Sequence, residues 1–110
     1  MHDETPAQSY RLVRSRTVIA AQVPCYTFGT VDSRIFLEWL CSYLGGEVEH
    51  TTIGSYRWAW SIDPETGNIL LATPTGVRHV RGGDWIVVED FYLLHLDNET
   101  FTRDYRCVGF

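Results

Sequence analysis

Gly82-Gly83-Asp84-Trp85-Ile86-Val87-Val88, running on through Phe91-Tyr92-Leu93 to Phe101 and Tyr105, is the most densely patterned part of the chain. Its reading decides the fold. Two glycines and an aspartate supply positive φ and a local side-chain to backbone hydrogen bond, and they deliver directly into Trp, Ile and Val, residues that favour strands. That is a turn feeding a buried strand. Glu89-Asp90 interrupts the apolar run and Phe91 to Leu96 resumes it, so two strands in hairpin relation are expected, with the two acids at a solvated tip.

Upstream, Thr17 to Val23 is rich in β-branched and small residues and predicts a first core strand that Pro24 ends. Asp32 or Ser33 is placed to cap a helix running to Leu44, with Phe36, Trp39, Leu40, Tyr43 and Leu44 on one side at helical spacing and Gly45-Gly46 as its stop. Glu47 to Ser55 is polar and reads as a loop. Tyr56, Trp58, Trp60 and Ile62 alternate with Arg57, Ala59 and Ser61, which predicts a strand with its large residues on one face. Asp63 to Asn68 carries Pro and Gly at turn positions, Ile69 to Thr73 is the partner strand, and Pro74-Thr75-Gly76 turns into a short strand over Val77 to Val80. Asp97-Asn98-Glu99-Thr100 reads as the cap and first turn of a short helix holding Phe101, and Tyr105 to Phe110 as a last strand.

Assembled, these segments predict a single α+β domain over residues 10–110, preceded by a flexible tail at 1–9. Its expected form is an antiparallel meander of roughly five or six curled strands packed on one main helix, with a short C-terminal helical turn.

Composition bounds the function. The chain has 110 residues and a net charge of −5, and this acidity argues against binding to duplex nucleic acid, which rests on neutralising phosphates with cations. All the cations are arginine; Arg11, Arg14 and Arg16 fall in one short segment, either a solvated strand edge or an anion-binding one. No apolar run approaches the roughly eighteen residues of a membrane span and no leader pattern opens the chain, so a cytosolic location is expected, with Cys25, Cys41 and Cys107 as reduced thiols.

Candidate chemistry is sparse. His50, His79, His95 and the cysteines lack the roughly two-to-four-residue separations of structural zinc sites, so no metal is expected. His95 sits inside an apolar strand, where a histidine satisfied by a hydrogen bond is the ordinary case. No nucleophile elbow and no phosphate-cradling glycine loop with its lysine is present, and no cofactor and no enzymatic activity are expected. The remaining candidate is the aromatic strand. Tyr56, Trp58 and Trp60 are either core against the helix or a stacking surface for a flat ligand, with Trp58 and Trp60 as the ligand-binding candidates and Arg78 and Arg81 bringing guanidinium groups to its rim for phosphates.

The chain also resembles a family of small proteins encoded by tailed phages and prophages. The resemblance rests on Tyr10-Arg11, Val18-Ile19-Ala20-Ala21, the segment Phe36-Leu37-Trp39-Leu40 ending at Gly45-Gly46, then Gly83-Asp84-Trp85-Ile86, Phe91-Tyr92, Phe101 and Tyr105. The chain departs from that pattern at Leu93-Leu94, where the family has Pro and Cys, and at Arg16-Thr17, where it has Pro. The resemblance implies a non-enzymatic phage accessory protein in the host cytosol, possible as a homo-oligomer. Its expected partner is a small nucleotide that signals host defence; the alternative is a host or virion protein.

Overall fold

The computed structural model of the chain describes residues 7–12, 17–24, 31–89 and 92–107. Eight strands and two α-helices are present among them: β1 (Gln8–Leu12), β2 (Thr17–Gln22), α1 (Val31–Leu44), β3 (Ala59–Ile62), β4 (Ile69–Thr73), β5 (Gly76–Val80), β6 (Trp85–Glu89), β7 (Tyr92–Leu96), α2 (Asn98–Asp104) and β8 (Tyr105–Cys107). A 3-10 helix spans His50–Ser55.

The α+β class holds, but the single meander does not. The strands form two antiparallel sheets, one of five in the order β7-β6-β2-β1-β8 and one of three in the order β3-β4-β5. The small sheet is the meander expected over 56–80, its first strand starting later, at Ala59. The large one pairs β2 with β6 across most of the chain, and β1 with both β2 and β8. β1 begins at Gln8, inside the segment read as tail.

Local chemistry fixes the element ends. Gly45 stops α1 in the left-handed region at φ 80°, donating its N–H to Cys41 O at 2.8 Å. Asp32 and Ser33 lie inside the first turn of α1, so the capping position falls on residue 30, outside the described residues. At the 63–68 turn Asp63 Oδ1 accepts the Glu65 N–H at 2.9 Å and Gly67 takes φ 76°. Asp97 caps α2 as expected, its Oδ1 accepting the Thr100 N–H at 2.7 Å.

One core joins the three layers. Ala21, Val23, Ile86 and Leu93 of the large sheet, Phe36, Trp39 and Leu40 of α1, and Trp60, Ile69, Leu71 and Val80 of the small sheet bury together. Each sheet also has a covered outer face. Val18, Ala20, Trp85 and Val87 bury with Phe101 of α2 and Tyr105, whereas Ala59, Leu70 and Ala72 bury with Ile53 of the 3-10 helix. The stretch read as a polar loop therefore supplies a core residue.

Two further expectations change. β3 begins at Ala59 rather than Tyr56, because the chain leaves the 3-10 helix through an extended Tyr56 whose N–H still bonds Ile53 O. Tyr56 is consequently exposed and Trp58 only half-buried. Glu89 belongs to β6, opposite Tyr92, and is buried rather than at a solvated tip, since alternation puts it on the face of Trp85 and Val87. Asp90 and Phe91 lie outside the described residues.

Candidate functional site

Residues directly opposite each other in a sheet share a face, so the register of the small sheet sorts its side chains. Trp60 pairs with Leu71 and Leu71 with Arg78, which puts the three in one row across β3, β4 and β5. Trp60 and Leu71 are buried in the main core. Arg78 is thus on the core-facing side, but at the sheet's edge strand, where its charge escapes to solvent along the margin of the core.

The large sheet presents a matching row. Ala21 pairs with Ile86 and Ile86 with His95, and the first two are again main-core residues. β7 is an edge strand of its sheet as β5 is of the other. The two rows meet there. Arg78 Nε donates to His95 Nδ1 at 3.1 Å, and His95 Nε2 lies 2.7 Å from Asp84 Oδ2. An arginine nitrogen can only donate, so Nδ1 must be the acceptor and Nε2 carries the proton given to Asp84. The chain Asp84, His95, Arg78 is therefore complete with neutral imidazole.

Asp84 is held from behind. Its Oδ2 also accepts the Arg81 N–H at 3.0 Å, and its own N–H returns to Arg81 O at 3.0 Å. Gly83, at φ 92°, closes this turn, and both Gly83 and Asp84 bond the backbone of Val23 at the end of β2. The Gly82-Gly83-Asp84 turn thus does more than reverse the chain: it delivers a carboxylate to the seam between the sheets.

The four residues expected at a ligand site separate into different roles. Trp60 is 4% exposed and donates its indole N–H to Gly45 O at 2.7 Å, so it is core and ties the end of α1 to β3. Trp58 packs half-buried against that core from the bend before β3. Arg78 is exposed and joined to His95; Arg81 is exposed, and its side chain has no hydrogen bond or ion pair among the described residues. Arg78 and Arg81 converge on one carboxylate, Arg78 through His95 and Arg81 through its main chain. Asp84 was anticipated only as a turn residue, and His95 chiefly as a core histidine satisfied by a hydrogen bond. Their signal was the phase of the strand, which aims His95 inward with Ile86 and Ala21.

Nearby charges add to the electrostatics. The Thr100 N–H, then its hydroxyl, hold the Asp97 carboxyl below its ordinary range, and Arg103 and His95 lower it further. The Asp63 carboxyl is likewise held low, mainly by the Glu65 N–H, with a contribution from His79. Among the described residues no cluster of three or more His, Cys, Asp or Glu is arranged to hold a metal ion, and no helix is long and apolar enough to cross a membrane.

No family model matches the chain, and neither a curated protein nor a solved structure matches it.

Proposed function

We propose that this is a non-catalytic binding protein for a small phosphorylated ligand of nucleotide type. In keeping with the resemblance to phage proteins, its task is to withdraw a host defence signal in the cytosol. The observation that carries this reading is Arg78: its Nε is engaged by His95, its two terminal nitrogens make no hydrogen bond among the described residues, and a second exposed arginine, Arg81, follows three residues later. A guanidinium presented in that way matches the oxygens of a phosphate. Trp58, half-buried beside the same core, offers a flat face for a base. Trp60 has no part in it.

Calorimetry of the pure protein against cyclic mononucleotides, cyclic dinucleotides and ADP-ribose tests the reading. At least one ligand is expected to bind tighter than about 1 mM, a free energy beyond roughly 4 kcal/mol, and Arg78→Gln to weaken it about tenfold or more. Absence of heat across the whole panel overturns it.

The alternative, a protein partner, draws on the outer edge of β5. This strand pairs with β4 alone among the described residues and exposes Val77. An added strand would satisfy such an edge. A phage or host polypeptide that copurifies with the protein and is lost on Val77→Pro supports this reading over the first.

A further inference from the structure

The seam between the two sheets carries more than a pair of exposed arginines. We infer that Asp84 and His95 act as positioning residues that hold Arg78 as a rigid oxyanion receptor, and that protonation of His95 releases it. This rests on the nucleotide reading for the identity of the ligand, but not for the strap itself.

The reasoning begins from donor count. Nε is the one guanidinium nitrogen on the side chain's own stem, so fixing it against His95 Nδ1 sets the plane of the group. The end-on fork of the two terminal nitrogens is not engaged by His95 and is left for a ligand. A free arginine would give up conformational entropy to adopt one such geometry for a ligand; a strapped one has already done so. His95 can serve as that anchor because it is itself fixed, at 2.7 Å from Asp84, with side chains only 10% and 16% exposed respectively. Asp84 is fixed in turn by the Arg81 N–H.

The same geometry makes the strap sensitive to acid. Nδ1 accepts a hydrogen bond only while it carries no proton. Protonating it removes the acceptor and sets an imidazolium against a guanidinium across about 3 Å, which is repulsive. The groups set against His95 are Arg78 of β5, Asp84 of the turn into β6, and Asp97 ahead of α2, with Arg81 acting through the carboxylate of Asp84. Asp84 and Asp97 keep the imidazolium in place; only Arg78 is free to leave, since it extends from an exposed strand edge. Acid therefore spares the Asp84 to His95 contact and detaches the arginine.

Nitrogen-detected NMR of the wild-type chain, titrated from about pH 8 to about pH 5 where histidine changes charge, tests this without a ligand. At the upper end His95 is expected as the Nε2–H tautomer with a slowly exchanging Arg78 Nε–H. That Arg78 proton should lose its protection in step with protonation of His95. A Nδ1–H tautomer at the upper end, or protection of Arg78 that survives protonation of His95, overturns the inference. The second measurement is affinity for inorganic phosphate and ADP-ribose. Wild-type affinity is expected to fall about tenfold on acidification, as for loss of one charge-assisted contact, and His95→Phe to be about tenfold weaker at the upper pH with little pH dependence left. Equal affinity of His95→Phe and wild type, or affinity that rises in acid, overturns the strap while leaving the nucleotide reading intact. No binding of either probe by wild type overturns Arg78 as an oxyanion receptor even where the NMR transition is present, whereas the nucleotide reading is decided separately by the full calorimetric panel.

Discussion

The two sheets solve the same problem, an apolar outer face, with covers of different kind. Over the five-stranded sheet the cover is aromatic and comes from far along the chain. Trp85 stacks on Phe101 with ring centroids 3.8 Å apart and 8° between planes, Phe101 stacks on Tyr105 at 4.8 Å and 5°, and Tyr10 meets Trp85 and Phe101 edge-on at 5.3 and 5.0 Å. Small residues beneath, Val18, Ala20 and Val87, make the seat. Over the three-stranded sheet the cover is the 3-10 helix immediately preceding β3, and its apolar content is essentially Ile53 on Ala59, Leu70 and Ala72. At Gly54 an added Cβ would lie 3.9 Å from Val77 Cγ2, so the turn sits close over β5. Where a face is lined by alanine, a single aliphatic side chain is cover enough; where the cover must also anchor a returning helix, stacked rings are used.

That anchoring is polar as well as apolar. The Trp85 indole N–H donates to Asn98 Oδ1 at 2.9 Å, and Gln22 Nε2 reaches the same oxygen at 3.4 Å and Gly83 O at 3.0 Å. α2 is therefore keyed to both β2 and β6. The burial that covers Tyr10 from this side also pushes its phenol pKa up, with Cys107 of the neighbouring strand adding to the effect.

The comparison predicts unequal sensitivity. Phe101→Ala removes the middle ring of the stack, leaving Trp85 and Tyr105 without a shared partner, and is expected to destabilise by about 3–5 kcal/mol. Ile53→Ala empties the other cover, with an expected loss nearer 2 kcal/mol, since one short 3-10 helix can settle onto the alanines below. Urea midpoints of the two variants, at unchanged slope, check both values. A larger loss for Ile53→Ala would reverse the ranking of the two covers.

A smaller effect separates packing from hydrogen bonding in the small sheet. Ser61 is buried on the outer face of β3 and donates its hydroxyl to Val48 O at 2.7 Å, while the Val48 N–H bonds Trp60 O at 3.0 Å. Residues before the 3-10 helix are thereby stitched to β3. Ser61→Ala is expected to cost about 1 kcal/mol and to raise amide exchange at Val48, whereas Ser61→Val, which also crowds the seat of Ile53, should cost more.

What the sequence made legible follows from range. β2, α1, the hairpin of β4 and β5, and the cap of α2 depend on residues within a turn or two of each other, and periodicity and turn chemistry identify them. The division into two sheets depends on β2 choosing β6 as a neighbour, with over sixty residues between them, and no local pattern encodes that. The 3-10 helix was missed because Ile53 is one apolar residue in a polar stretch, without a repeat to mark it. The alternation from Tyr56 to Ile62 overran the true strand, since a period of two persists through the extended exit at Tyr56. Arg78 was legible as an arginine at the rim of the aromatic strand and His95 as a satisfied core histidine. That they satisfy each other is a property of the two edges meeting, and so was not.

The smallest effect tests whether α2 is held by its cap or by its rings. The Asp97 carboxylate is better stabilised in the folded chain than in the unfolded one, because the Thr100 N–H, foremost, bonds its charged form. Its folded pKa is therefore depressed below the ordinary 3.8. The sign follows by linkage: the contribution is complete above the unfolded value and disappears as pH falls through the lower, folded one. Asp97→Ala should thus lower the melting temperature at neutral pH, and the gap to wild type should close as pH falls below about 4. Asp97→Asn, which keeps an acceptor oxygen without the charge, should lie between the two and be flatter with pH. If the rings alone hold α2, the gap is small at every pH and Phe101→Ala stays the dominant loss; if the cap registers the helix on Asn98 and Trp85, Asp97→Ala also exposes the Trp85 indole, read as a red shift in its fluorescence at neutral pH that is absent in Asp97→Asn.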